Sequence, residues 1–186
     1  MNIGIYVGSF NPVHIGHKYI IDYLLNNKFV DKVIVIPTMN YWNKNNLIDI
    51  KDRINMLKYY ENKNIIINDT LNNLEYTYLI LNELKKEYIN DTLYLIIGAD
   101  NIPKFHLWKN VDKILENKVI VLNRDDIEIE KYINRFNNKE NFIIVKDFKC
   151  INISSTNIRN DIEKNKDLLD KKIYKYIKDN NLYIYN

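Results

Sequence analysis

The chain has 186 residues, the size of one domain, and its 46% apolar and 27% charged residues are the balance of a globular protein rather than a disordered one. A formal net charge of +3, spread along the chain, forms no basic stripe, so neither nucleic acid nor an anionic membrane is expected as the main partner. A lone cysteine, Cys150, excludes an intramolecular disulfide and a thiolate zinc site; with no basic, apolar start and no run of ~18 apolar residues, the expectation is a cytoplasmic protein.

Residues 2–7, with Ile3, Ile5 and Val7, predict a buried strand ending at Gly8. Residues 17–27 carry Tyr19, Ile20, Tyr23 and Leu24 at helical spacing, and 32–36 form a Val/Ile-rich strand stopping at Pro37. Asp49 is placed to cap a helix reaching about Tyr60, with Ile50, Ile54 and Leu57 on one face. A strand at 65–68, a helix at 76–88 and the most apolar strand, 93–97, follow, the last ending at Gly98. Then come a helix at 110–115, a strand at 119–122, a helix at 127–136, a strand at 142–145, and helices at 156–162 and 168–179. Strands alternating with helices imply a parallel sheet covered on both faces, a doubly wound α/β fold. Such folds bind ligands beyond the carboxyl ends of the strands, which directs attention to the loops after Val7, Ile36, Ile97 and Leu122.

Residue usage narrows the search. The chain has 31 asparagines and no glutamine, but one alanine (Ala99), four glycines, three prolines and three histidines. Lys, Asn, Ile and Tyr have AT-rich codons, so the skew reads as base-composition pressure, under which Gly, Pro and Ala persist mainly where the chain requires them. Three glycines, one proline and two histidines fall in the first 17 residues.

That segment is Gly8-Ser9-Phe10-Asn11-Pro12-Val13-His14-Ile15-Gly16-His17. Glycine at a strand end admits close approach of a ligand to backbone, and amides leading into a helix attract anions. The spacing fits neither G-x-G-x-x-G nor the Walker loop. Two histidines three apart can share one side of a turn, and an imidazole can donate to phosphate oxygen. Surface residues at a helix start are the bland alternative, and a metal pair is another, although no third ligand is recognisable.

The segment resembles the nucleotidyltransferase signature G-[ST]-F-[DN]-P-x-H-x-G-H. A second string, Ile153-Ser154-Ser155-Thr156-Asn157-Ile158-Arg159, is similar to the I-S-S-T-x-I-R signature of the same family. Read alone it is a Ser/Thr-capped helix with a surface arginine, the hydroxyl of the cap satisfying free helix amides. Ile96-Ile97-Gly98-Ala99-Asp100 resembles the family's I-I-G-x-D motif; otherwise it is a turn glycine and a capping Asp. Tyr76-Thr77 resembles the S-Y-T helix start of the pyridine-nucleotide members, and Phe105 to Asn110 their tryptophan segment, with a core tryptophan as the bland reading of Trp108. Asp179-Asn180-Asn181-Leu182-Tyr183 is similar to their E-x-x-G-L-Y ending, with asparagine, which tolerates the left-handed conformation, in the glycine place.

The resemblance spans nearly the whole chain and is strongest to the bacterial nicotinate-nucleotide adenylyltransferases. It implies a single Rossmann-like domain over 1–186, whose C-terminal helical part from about 154 carries the second phosphate motif. It implies adenylyl transfer from ATP to nicotinate mononucleotide in NAD biosynthesis, with Mg²⁺ carried through phosphates rather than by protein ligands. His14, His17, Lys44 and Arg159 would carry catalysis. ATP would be held by Gly8, Ser9, Phe10, Gly16, Gly98, Asp100, Ser154, Ser155 and Thr156, and the pyridine nucleotide by Tyr76, Thr77, Trp108 and Arg124. The chain departs from the pattern at Asn40 to Lys44, where those enzymes usually carry P-P-H-K, and at Asp125-Asp126, in place of Pro-Gly. Arg53 matches the H-R-x-x-M-L stretch without its histidine. Glu75 stands in place of serine, where it would repel a pyridine carboxylate. A nicotinamide-mononucleotide or dual-specificity enzyme, a nucleotide-binding module without catalysis, and a homo-oligomer all stay open.

Overall fold

The computed structural model of the protein describes residues 1–39, 47–123 and 127–184. Among the described residues six strands form one sheet in the order β3-β2-β1-β4-β5-β6: β1 (Asn2–Gly8), β2 (Lys32–Pro37), β3 (Ile65–Ile67), β4 (Thr92–Gly98), β5 (Lys118–Leu122) and β6 (Phe142–Val145). Every neighbouring pair is parallel. Between them run α1 (Ile15–Asn26), α2 (Ile50–Lys58), α3 (Thr77–Glu87), the short α4 (Ile102–Phe105) and α5 (Val111–Ile114), and α6 (Ile129–Ile133); α7 (Ser155–Asn160) and α8 (Lys171–Asp179) follow β6.

The strand alternation builds two cores. Ile3, Ile5, Ile34, Ile36, Leu95, Ile97, Val119 and Val121 face one side, under residues of α3 to α6. Val33, Val35, Ile96, Ile120 and Leu122 face the other, packed with residues of α1, α2, α7 and α8. Each of these buried side chains contributes roughly 1.5–3 kcal/mol of transfer free energy. Gly4 has a packing role in β1: a Cβ there would lie 2.8 Å from Ile96 Cδ1 on the adjoining strand.

The chain-order reading survives with corrections at element ends. The first helix begins at Ile15, not at 17, because His14 caps it. The last begins at Lys171, not at 168, because the Asp170 carboxylate accepts from the Lys172 amide at 2.8 Å; Lys166–Leu168 is a separate 3₁₀ turn. The helix expected over 127–136 is confined to α6. A 3₁₀ turn (Ala99–Asn101) and α4 lacked enough residues to show a period.

Candidate active site

The strand order reverses between β1 and β4, whose ladder pairs Ile5 with Leu95 and Tyr6 with Ile96. Two cavities open there at the carboxyl ends of the strands, where a doubly wound sheet offers its crevice. The first, of about 240 Å³, is lined by Gly8, Phe10 and His17, by Gly98 at the end of β4 and Asp100 beyond it, and by Asn123 after β5. The second, of about 480 Å³, is lined by Thr38, Glu75, Tyr76, Thr77 and Lys109. Val7, Asn101 and Trp108 line both, so the indole stands on the wall between them. A third cavity, of about 250 Å³, joins His14, Gly16 and His17 to Ser154 and Ser155. Residues about 140 apart in sequence therefore meet at one place.

The first loop is locally strained. Phe10 has φ 47, a left-handed conformation that a bulky residue rarely adopts. Its ring folds over Gly8, where a Cβ would meet it at 3.2 Å, and lies edge-on to His17 with centroids 5.0 Å apart. His14 is the N-cap of α1. Its Nδ1 accepts from the Gly16 amide at 3.2 Å, while His17 Nδ1 accepts from the His14 amide at 3.2 Å. The rings lie 3.8 Å apart, centroid to centroid. The group packed against Gly16 is thus the His14 ring itself, at 3.0 Å from where a Cβ would stand. Because each Nδ1 serves as an acceptor, a neutral ring carries its proton on Nε2. The turn therefore fixes both the orientation and the tautomer of the pair.

Long-range bonds from the interior and from the C-terminal segment hold this loop. The buried Arg53 of α2 donates through Nη1 to the carbonyls of Ser9 (2.7 Å) and Thr38 (2.8 Å), and through Nε to that of Ile48 (3.2 Å). Burial lowers its pKa, with the charges of Tyr183 and Asp49 opposing. The Tyr183 hydroxyl donates to Asn11 Oδ1 at 2.9 Å. Ser155 Oγ donates to the Pro12 carbonyl at 3.0 Å, and Arg159 Nη1 to the Asn11 carbonyl at 2.6 Å.

Most of the expected site residues come together. Gly8, Phe10, Gly98 and Asp100 share the first cavity, Tyr76, Thr77 and Trp108 the second, and the histidines and Ser154–Ser155 the third. Two side chains have local settings that the sequence did not announce. Ser154 occupies the N-cap of α7, but its hydroxyl makes no capping bond. The Arg159 guanidinium binds Asn11 and Thr156 Oγ1 (3.2 Å), and its side chain lines a separate cavity of about 350 Å³ beside Lys178 and Tyr183. Trp108 also packs on Phe105 with centroids 5.0 Å apart, as the core reading expects. Ser9 presents its carbonyl to Arg53. Lys44 and Arg124 lie outside the described residues.

The sequence reading missed Thr38, Asn101, Phe148 and Cys150 as lining residues. Phe148 and Cys150 follow β6, whose carboxyl end obeys the same crevice rule as the four strands searched. In the second cavity the Glu75 carboxylate accepts from the Tyr76 phenol and holds its pKa above the usual value. Among the described residues no group of three His, Cys, Asp or Glu is placed to hold a metal ion, and no helix is long and apolar enough to cross a membrane.

A doubly wound sheet with a His-x-Gly-His turn at its switch point is the plan of a nucleotidyltransferase, and the chain belongs to the cytidylyltransferase-like family, whose model matches residues 5–161. Within that family it is similar to proteins named as nicotinate-nucleotide adenylyltransferases. A Borrelia hermsii protein named "Probable nicotinate-nucleotide adenylyltransferase" is 39% identical, covering 99% of this chain and 98% of its own. A Fusobacterium nucleatum protein of the same name is 38% identical, covering 95% and 97%. The solved Plasmodium falciparum nicotinic acid mononucleotide adenylyltransferase complexed with NaAD matches with a TM-score of 0.82 at 26% identity, covering 100% of this chain and 98% of that one.

Proposed function

We propose that this protein transfers the adenylyl group of ATP to nicotinate mononucleotide, forming deamido-NAD and pyrophosphate. The observation that carries this reading is the pair of cavities divided by Trp108, one beside the histidine turn and one beside Tyr76 and Thr77. ATP occupies the first and the mononucleotide the second, with the indole face available to the pyridine ring. A 5′-phosphate oxygen of the mononucleotide attacks the α-phosphorus in line. The new O–P bond forms as the α,β-bridging P–O bond breaks, and pyrophosphate leaves. Such transfers depend on positioning and charge stabilisation rather than covalent catalysis.

His14 and His17 donate from Nε2 to the α-phosphate as charge builds up on it. Gly98 and Asp100 hold the ribose side. The α7 start, with Ser154, Ser155 and Thr156, and Arg159 bind the β- and γ-phosphates; a guanidinium has five donors, and the bonds to Asn11 and Thr156 use two. Lys44 adds a cation, and Arg124 serves the pyridine nucleotide. A Mg²⁺ ion would be held through the triphosphate rather than by a set of protein ligands, with Asp100 the carboxylate that lines the ATP-side cavity. When bound it neutralises phosphate charge.

Glu75 supports a second reading for the acceptor. An exposed carboxylate on the pyridine-side cavity opposes nicotinate and leaves nicotinamide unpenalised, so dual specificity follows. Pyrophosphate release, measured with ATP and each mononucleotide separately, with and without Mg²⁺, tests both. Release with neither mononucleotide overturns the enzyme reading and favours a nucleotide-binding module.

A further inference from the structure

We propose that Arg53 is a positioning residue that sets the two substrate cavities in register; the inference rests on the adenylyl-transfer reading above. The β1–β2 ladder ends at Gly8 paired with Pro37, and the Thr38 amide donates to the Gly8 carbonyl at 2.9 Å. Ser9 continues the ATP-side loop, between Gly8 and Phe10 of the first cavity, while Thr38 lines the second. One nitrogen, Arg53 Nη1, donates to both carbonyls, at 2.7 and 2.8 Å. Nε fixes the guanidinium from the third side through Ile48.

Packing alone does not account for this side chain. Arg53 is 1% exposed, and an uncharged residue of similar volume would fill the space without desolvating a cation. The planar fork of arginine reaches several carbonyls in fixed geometry, which lysine, a point donor, cannot reproduce. The guanidinium thus takes over from the sheet at the place where its ladder stops. Neither cavity is lined by Arg53, so its loss leaves the binding groups of each substrate in place. What it disturbs is the spacing between them, hence the approach of the acceptor phosphate to the α-phosphorus. A misplacement of ~1 Å costs on the order of 100-fold in rate.

The test compares wild type with Arg53→Met and Arg53→Lys. Folding is followed by circular dichroism, and steady-state pyrophosphate release by titrating ATP and nicotinate mononucleotide in turn. The expected result for R53M is a kcat about 100-fold lower with each KM within about threefold of wild type, and R53K recovers roughly tenfold of that loss. Unchanged kcat in both variants overturns the inference, as does a rise in both KM values that matches the fall in kcat, since that marks lost substrate binding rather than lost alignment. If R53M does not fold, R53K decides: a kcat loss without a KM change supports the role, and wild-type kinetics overturn it. A wild type that releases no pyrophosphate overturns the adenylyl-transfer reading and this inference with it, whereas an active wild type with unaltered variants overturns this inference alone.

Discussion

Replacing His17 separates the two tasks that its ring performs. Its Nδ1 accepts the His14 amide at 3.2 Å, a capping bond at the start of α1, and its Nε2–H is assigned to the α-phosphate. His17→Ala removes both. Loss of the cap costs about 1 kcal/mol, which in a domain of this size lowers Tm by roughly 2–4 °C. Loss of one donor to transition-state charge costs about 10²–10³ in kcat, or ~2.7–4 kcal/mol. ATP affinity should change little, because the charge that the donor meets develops only during reaction. Two further variants divide the effects. The His17→Asn amide oxygen lies near the place of Nδ1, so Tm recovers while kcat stays low. The His17→Gln amide nitrogen reaches toward the place of Nε2, so part of kcat returns without the cap. The assays are thermal unfolding, ATP binding by calorimetry, and pyrophosphate release. An H17N variant within about tenfold of wild-type kcat would refute the donor role, and an H17N variant that unfolds as early as H17A would refute the cap.

Three other predictions use separate parts of the structure. Glu75→Gln should raise the preference for nicotinate over nicotinamide mononucleotide by about fivefold, the size of a ~1 kcal/mol charge term at an exposed site, and Lys109→Ala should lower it; unchanged kcat/KM ratios in both would remove the two charges from acceptor choice. Tyr183→Phe leaves buried Asn11 without the donor at 2.9 Å and should cost about 1–2 kcal/mol in urea unfolding, so a variant as stable as wild type would show that this bond is not needed. Among the described residues the buried Tyr60 hydroxyl has no hydrogen-bond partner, and desolvation pushes its pKa well above the ordinary 10. The folded state therefore holds the phenol proton more tightly than the unfolded state does. That contribution is fully present below about pH 10 and is lost as pH rises above it, so Tyr60→Phe should lessen the alkaline decline measured by unfolding from about pH 10 upward.

The sheet was legible because buried parallel strands are continuous apolar runs, and Ile34 to Ile36 or Leu93 to Ile97 can be little else. Helix ends were less legible. His14 and Asp170 cap their helices through contacts that periodicity does not register, which displaced both starts. α4 has four residues, barely one turn, and no period can be read from it. The histidine turn stood out through its residue types and spacing. The bonds that hold it did not, because they join Arg53, Ser155, Arg159 and Tyr183 to residues 44 to 172 positions away, and their acceptors are mostly carbonyls that every residue possesses.

Residue scarcity acquires a physical meaning from the backbone. Among the described residues no glycine has a positive φ, and the left-handed positions are held instead by residues such as Phe10 and Asn181. Asn181 ends α8 at φ 51, as its place in the C-terminal motif implied, so this chain meets a conformational need with asparagine where composition pressure disfavours glycine. Glycine is kept where the need is for space. At Gly98 a Cβ would collide with Asp100 Oδ1, and at Gly16 it would stand 3.0 Å from His14 Nδ1. Asparagine can substitute for left-handed freedom, whereas a Cβ at Gly98 or Gly16 requires the Asp100 or His14 side chain to move. The glycines that persist at the crevice therefore mark the points where a site side chain folds back onto its own backbone.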